Sequence, residues 1–123
     1  MAFTRLGGIF AFLAVALGAF GAHLLRDQLG AALSQAFETG VRYQMFHALG
    51  LIAIGVIVDR VPQSGSKALG VAGVLFVAGI LLFSGSLYAM ALTGVRGFGA
   101  ITPLGGLAFL AGWISFTIGC RRS

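Results

Sequence analysis

Residues 68–92, ALGVAGVLFVAGILLFSGSLYAMAL, run for twenty-five positions without a charged side chain. A helix needs about 20 mostly apolar residues to cross the roughly 30 Å hydrocarbon core of a bilayer, and this stretch is long enough. Its letters are mostly Gly, Ala, Val and Leu without alternation, which excludes the ten-residue inside-outside pattern of a membrane β-barrel. Three more segments read the same way on either side of it. Residues 3–25 hold Arg5 near the start and His23 near the end; residues 41–58 are bounded by Arg42 and Asp59; residues 102–120 stop before Arg121 and Arg122. The expected fold is an all-α membrane protein, one domain over residues 1–123, built as a four-transmembrane-helix bundle.

Composition supports that solvent assignment. Hydrophobic residues make up 59% of the 123 positions and charged residues 9%, with mean hydropathy +1.02, whereas a soluble domain is about 25% charged. Eleven charged side chains cannot coat a water-soluble globule of this size. One cysteine forms no intrachain disulfide. The basic balance does not read as nucleic-acid binding, because the eight Lys and Arg are scattered singly without a basic stripe or aromatic platform. The first span has the basic start and small residues of a secretory signal, but residues 6–25 exceed the usual apolar length of about 7–15.

Counting cations orients the spans. With four crossings, both termini and the central loop share one side, which carries Arg5, Arg60, Lys67, Arg121 and Arg122; the other side carries Arg26, Arg42 and Arg96. The positive-inside rule then puts both termini in the cytoplasm of a cell inner membrane. Punctuation agrees with helices: Thr102-Pro103 reads as an N-cap with proline at the first helical position, and residues 61–66 read as a polar turn. Between Asp27 and Glu38, Leu29, Ala32, Leu33, Ala36 and Phe37 recur at helical spacing, predicting a short interfacial helix after span one. Thr39-Gly40-Val41-Arg42 recurs as Thr93-Gly94-Val95-Arg96. That recurrence raises two repeated hairpins as the organising unit, against coincidence in an apolar background.

Twenty glycines say how the helices meet. Lipid is as apolar as leucine, so spans associate by close packing at small residues. The spacing nominates Ala14, Gly18 and Ala22 in span one, Gly85 and Ala89 in span three, and Ala108, Gly112, Ser115 and Gly119 in span four. Trp113, in mid-span, is expected to fill the bundle, and Tyr43 and Tyr88 to lie in the outer aromatic belt.

Polar groups inside a membrane are the default functional candidates. Here they gather toward the outer side: His23, Arg42, His47, Ser84, Ser86, Arg96 and Thr102. At about 1.5 Å per residue, His47, Ser84 and Ser86 fall about 8–12 Å below the outer helix ends. One reading is a shallow outer pocket for an anionic group such as a phospholipid head, floored by His47 and helped by two helix N-termini. The other has His47 bonding Ser84 or Ser86 while the arginines snorkel. No metal site, cofactor or catalytic residue is predicted: two histidines alone are weak evidence of haem, a third metal ligand is missing, and no nucleophile has a base beside it.

Gly18-Ala19-Phe20-Gly21-Ala22-His23, TGVRYQMFH at 39–47 with Ala48-Leu49-Gly50, Leu82-Phe83-Ser84-Gly85-Ser86-Leu87-Tyr88, and Gly99-Ala100-Ile101-Thr102-Pro103-Leu104-Gly105-Gly106 with Gly112-Trp113 form a set. It closely resembles the YgdD/YwdK-type small inner-membrane family, a domain of unknown function. The resemblance implies four transmembrane helices and carries no catalytic residues. The function expected is therefore non-enzymatic: a structural, lipid-binding or membrane-integrity role. Its partners would be membrane lipids, copies of itself or other membrane proteins, and not nucleic acid. The alternative is a small oligomeric transporter or channel component with a path past His47.

Overall fold

Four long apolar helices make up the computed structural model, which describes residues 2–25 and 27–121. They are α1 (Ala2–Gly21), α2 (Ala31–Arg60), α3 (Gln63–Thr93) and α4 (Arg96–Gly119). All four are long and apolar enough to cross a membrane. Arg26 and Arg122, two of the cations in the orientation count, and the side chain of Ala22 lie outside the described residues.

The helices pair as two hairpins, α1 with α2 and α3 with α4, joined along a seam between α2 and α3. Within hairpins the backbones approach at glycine. A Cβ on Gly7 would stand 2.6 Å from the Ala48 carbonyl oxygen, and one on Gly55 would overlap Thr4. Across the second hairpin, a Cβ on Gly65 would lie 2.5 Å from the Gly119 oxygen, and one on Gly105 would run into the Phe83 backbone. Of the residues nominated for packing, Ala14 is buried, Gly18 faces Val41, Gly112 faces Phe76 and Gly119 meets Gly65 and Leu69. Ser115 Oγ donates to the Ala68 carbonyl at 2.7 Å. Ala89 and Ala108 are half-buried. Gly85 differs from the expectation, because a Cβ there would meet nothing within 4 Å.

Phe76 centres the seam. Its ring lies where a Cβ on Gly50 of α2 or on Gly112 of α4 would come within 2.8 and 2.7 Å, and it packs among Leu51, Ile54, Leu69, Ala72, Ile80 and Phe109. The outward faces carry Phe12, Phe20, Leu24, Leu49, Val74, Leu81, Leu107, Leu110 and Ile114, all exposed. An apolar exterior around a core closed by glycine contacts is what a lipid solvent selects.

The structure differs from four local expectations. Residues 31–38 do not form a separate interfacial helix; they are the first turns of one helix from Ala31 to Ile57. The segment is rich in Ala, Leu, Gln and Glu, has no breaker, and is anchored by the fully buried Phe37. The repeated quartet takes two conformations. Thr39–Arg42 lies inside that helix, whereas Gly94 adopts φ 74° and ends α3, its N–H bonded to the Met90 carbonyl at 2.8 Å. Thr102 does not cap through its hydroxyl: Ile101 precedes the α-helical part of α4 without a side-chain cap bond. Helix α3 also begins earlier than the polar turn implied, at Gln63, directly after Pro62.

Two stretches widen to π-helix, Leu17–Gly21 in α1 and Ile80–Ser84 in α3. Both flank the same part of α2. A Cβ on Gly18 would stand 3.0 Å from Val41, a Cβ on Gly21 would stand 3.1 Å from Phe37, and Ser84 reaches Gly40.

Candidate functional site

The buried polar residues bond within the protein, partly to neighbouring helices and partly to their own. Ser84, buried at the end of the π-helical turn, donates to the Gly40 carbonyl at 2.7 Å. Ser86 Oγ donates to the Phe83 carbonyl at 2.9 Å and lies 2.6 Å from Thr102 Oγ1. The serine hydrogen is used on the carbonyl, so the Thr102 hydroxyl donates to the serine oxygen.

His47 is 4% exposed. Its Nε2 accepts from the Trp113 indole N–H at 2.9 Å, and its Nδ1 lies 2.7 Å from the Tyr43 carbonyl. An indole N–H only donates, so Nε2 carries no proton and Nδ1–H donates to the carbonyl. One face of the ring stacks on Phe109, with centroids 3.6 Å apart and planes 11° apart, and Phe76 meets it edge-on at 5.2 Å. Neither Ser84 nor Ser86 is its partner. Both nitrogens of this neutral imidazole are bonded within the protein, and one ring face is covered.

The polar residue not singled out in the sequence is Gln44, 3% exposed on α2. Its Nε2 donates to the Phe10 carbonyl of α1 at 2.8 Å, and its Oε1 accepts from the Tyr88 hydroxyl of α3 at 2.7 Å. One amide thus ties three helices. The signal was present: Gln44 is a polar letter in an apolar run, one turn from both Gly40 and His47 on the same helix face. Tyr88 is therefore not a belt residue; it turns inward and packs on Phe37 at 5.3 Å between ring centroids. Tyr43, at 38% exposure, stays at the surface with one face on Phe83. Trp113 is also 38% exposed, with its N–H edge turned inward to His47.

The seven residues of the anticipated outer cluster do not share one pocket. Ser86 and Thr102 come together, but Ser84 and His47 turn to different carbonyls. Arg42 lines a separate cleft with Gly18, Glu38 and Val41. Arg96 is exposed at the first position of α4, and His23 is exposed two residues beyond the end of α1. Among the described residues no buried side-chain nitrogen or oxygen lacks a hydrogen-bond partner. Nor do three His, Cys, Asp or Glu side chains among them gather as a metal site would require.

Four apolar helices, glycine-closed hairpins and a self-bonded polar seam define a small multi-pass α-helical membrane protein. The chain belongs to the family described as "Protein of unknown function (DUF423)", whose model matches residues 17–106. It is 48% identical over 116 residues to the UPF0382 membrane protein YwdK of Bacillus subtilis, covering 94% of this chain and 93% of the relative. It is 47% identical to the UPF0382 membrane protein SSP2132 of Staphylococcus saprophyticus, covering 95% and 94%. The UPF0382 inner membrane protein YgdD of Escherichia coli is 41% identical, with 90% and 82% covered. No solved structure matches.

Proposed function

We propose that this protein is a non-enzymatic component of the inner membrane that acts through its packing. It would present a fixed helical surface to lipids and neighbouring membrane proteins and support membrane integrity, with both termini in the cytoplasm. One observation carries the reading: Gln44, His47, Ser84 and Ser86, the buried polar side chains, spend their hydrogen bonds on the protein itself. A transported ion or reacting substrate needs a group left free to meet it. His47, past which the alternative transport path would run, is bonded to Trp113 and Tyr43 and stacked on Phe109.

The inner-membrane assignment is supported by the Escherichia coli relative, an inner membrane protein. Cytoplasmic termini are supported by the cation count. The test is proton and cation flux in liposomes reconstituted with wild type and with His47→Ala. The proposal expects no flux above empty liposomes from either protein. Flux from wild type that disappears in His47→Ala would overturn it in favour of a conducting path.

A further inference from the structure

Two grooves on the lipid-facing surface repeat one pattern. On α1 a groove of about 600 Å³ is lined by Arg5, Gly8, Ile9, Phe12 and Leu13. On α3 a groove of about 570 Å³ is lined by Lys67, Gly70, Val71, Val74 and Leu75. In each, a cation is followed by glycine three positions on and by apolar residues four, seven and eight positions on. This spacing makes one continuous stripe along a helix. Both grooves belong to the first helix of a hairpin, and both open from its N-terminal turns. They lie at the same end of the molecule, where Phe3 of α1 packs at Gly73 of α3.

The glycines in these stripes are unlike those that close the bundle. A Cβ on Gly8 or on Gly70 would meet nothing within 4 Å, so each leaves a notch that no part of the protein fills. The flanking Ile9, Phe12, Val71 and Val74 are exposed, as are Arg5 and Lys67. The electrostatics at the top of each stripe is one-sided. A helix N-terminus carries about half a positive charge and favours acidic side chains. Neither α1 nor α3 has an acidic residue in its first turn, and each places a cation within its first five residues instead. Backbone N–H groups and a Lys or Arg head then point the same sign toward the same interface, an arrangement suited to a bound anion. Below that anion lie a notch and an apolar stripe within the bilayer.

We propose that each groove holds one anionic phospholipid from the leaflet on the side of the chain termini. Its phosphate meets Arg5 or Lys67 at the helix N-terminus, and one acyl chain lies over Gly8 or Gly70 along the stripe. This deepens the reading of the protein as a lipid-contacting bundle and rests on it. The stripes are poor seams for a second copy of the chain, because the position four residues beyond each glycine is bulky, Phe12 or Val74, and two backbones cannot close on it.

The test uses the full chain in a mild detergent with added phosphatidylglycerol, and phosphatidylcholine of the same acyl chains as the comparison. Native mass spectrometry counts the molecules retained. Two phosphatidylglycerols are expected in preference to phosphatidylcholine. Arg5→Gln and Lys67→Gln should each weaken one site about fivefold, as expected for removing one cation near an anionic surface. Gly8→Leu and Gly70→Leu, which fill the notches and leave the cations, should each lose one lipid. Arg42→Gln, at the other end, should keep both. Inorganic phosphate at the same concentration should not displace the lipid, since the chain groove supplies half of the site. Helical circular dichroism and a monodisperse profile establish that each variant is folded. Equal retention of the two lipids, retention unchanged in the Arg5→Gln/Lys67→Gln double variant, displacement by phosphate, or a dimer lost in Gly8→Leu would each overturn the proposal. Flux in the liposome assay would instead overturn the non-transport reading, which this count of lipids does not measure.

Discussion

The interfaces within the hairpins and the seam between them are built from different materials. Inside each hairpin the closest approaches are at glycine backbone, Gly7 against Ala48, Gly55 against Thr4, Gly65 against Gly119 and Gly105 against Phe83, with the Gln44–Phe10, Ser86–Thr102 and Ser115–Ala68 hydrogen bonds added to them. Across the seam, side chains meet. Ser84 reaches Gly40, Tyr88 reaches Gln44, Trp113 reaches His47, and Phe109 lies on the His47 ring. The difference follows from what lipid leaves available. With no hydrophobic drive between helices, close contact is the first source of affinity, and interhelical hydrogen bonds are the second. Close contact at glycine dominates within each pair, where hydrogen bonds only supplement it, whereas directional bonds and stacked rings fix how the two pairs face each other.

Substitutions can break that contrast. The largest effect is expected at Gly55. A leucine there must displace Thr4 and the start of α1, so Gly55→Leu should destabilise the protein by about 3 kcal/mol, the upper range for overpacking, in reversible unfolding from mixed micelles. Gln44→Leu comes next. It removes two interhelical bonds and leaves the Tyr88 hydroxyl without its acceptor, for an expected loss of about 1–2 kcal/mol. Thr102→Val removes one bond, to Ser86, and should cost about 0.6 kcal/mol, near the average for such bonds in membranes. Smallest of all, Gly85→Ala should change stability by less than about 0.5 kcal/mol, because its Cβ enters open space. Equal losses at Gly55 and Gly85 would show that glycine content, and not these particular contacts, holds the hairpins.

How much of this was readable in the sequence also divides along the two interfaces. Four apolar runs and their approximate limits were legible, because the length needed to cross a bilayer is a coarse demand that continuous hydrophobicity meets. The actual glycine pairs were not. Small-residue spacing nominated Gly18, Gly112 and Gly119, which do pack, but also Gly85, which does not, and it missed Gly7, Gly55, Gly65 and Gly105. Twenty glycines offer too many stripes, and the register between helices is a tertiary property. The start of α2 at Ala31 was hidden because its first turns carry polar residues that resemble an interfacial segment. Ser84 and His47 at the seam, and Ser86 and Thr102 inside the second hairpin, stood out as polar letters, yet their partners did not. Attention to ionisable residues passed over Gln44, which bonds to two other helices, and the Trp113 indole that fixes His47.

The central claim is that the buried polar groups bind the helices and nothing else, and His47 tests it most directly. Nitrogen NMR of the histidine-labelled protein in lipid bilayers reports which ring nitrogen carries the proton. The account predicts a neutral ring with the proton on Nδ1 and a lone pair on Nε2 whose signal shifts in Trp113→Phe. A proton on Nε2, or an Nε2 signal indifferent to Trp113→Phe, would contradict it.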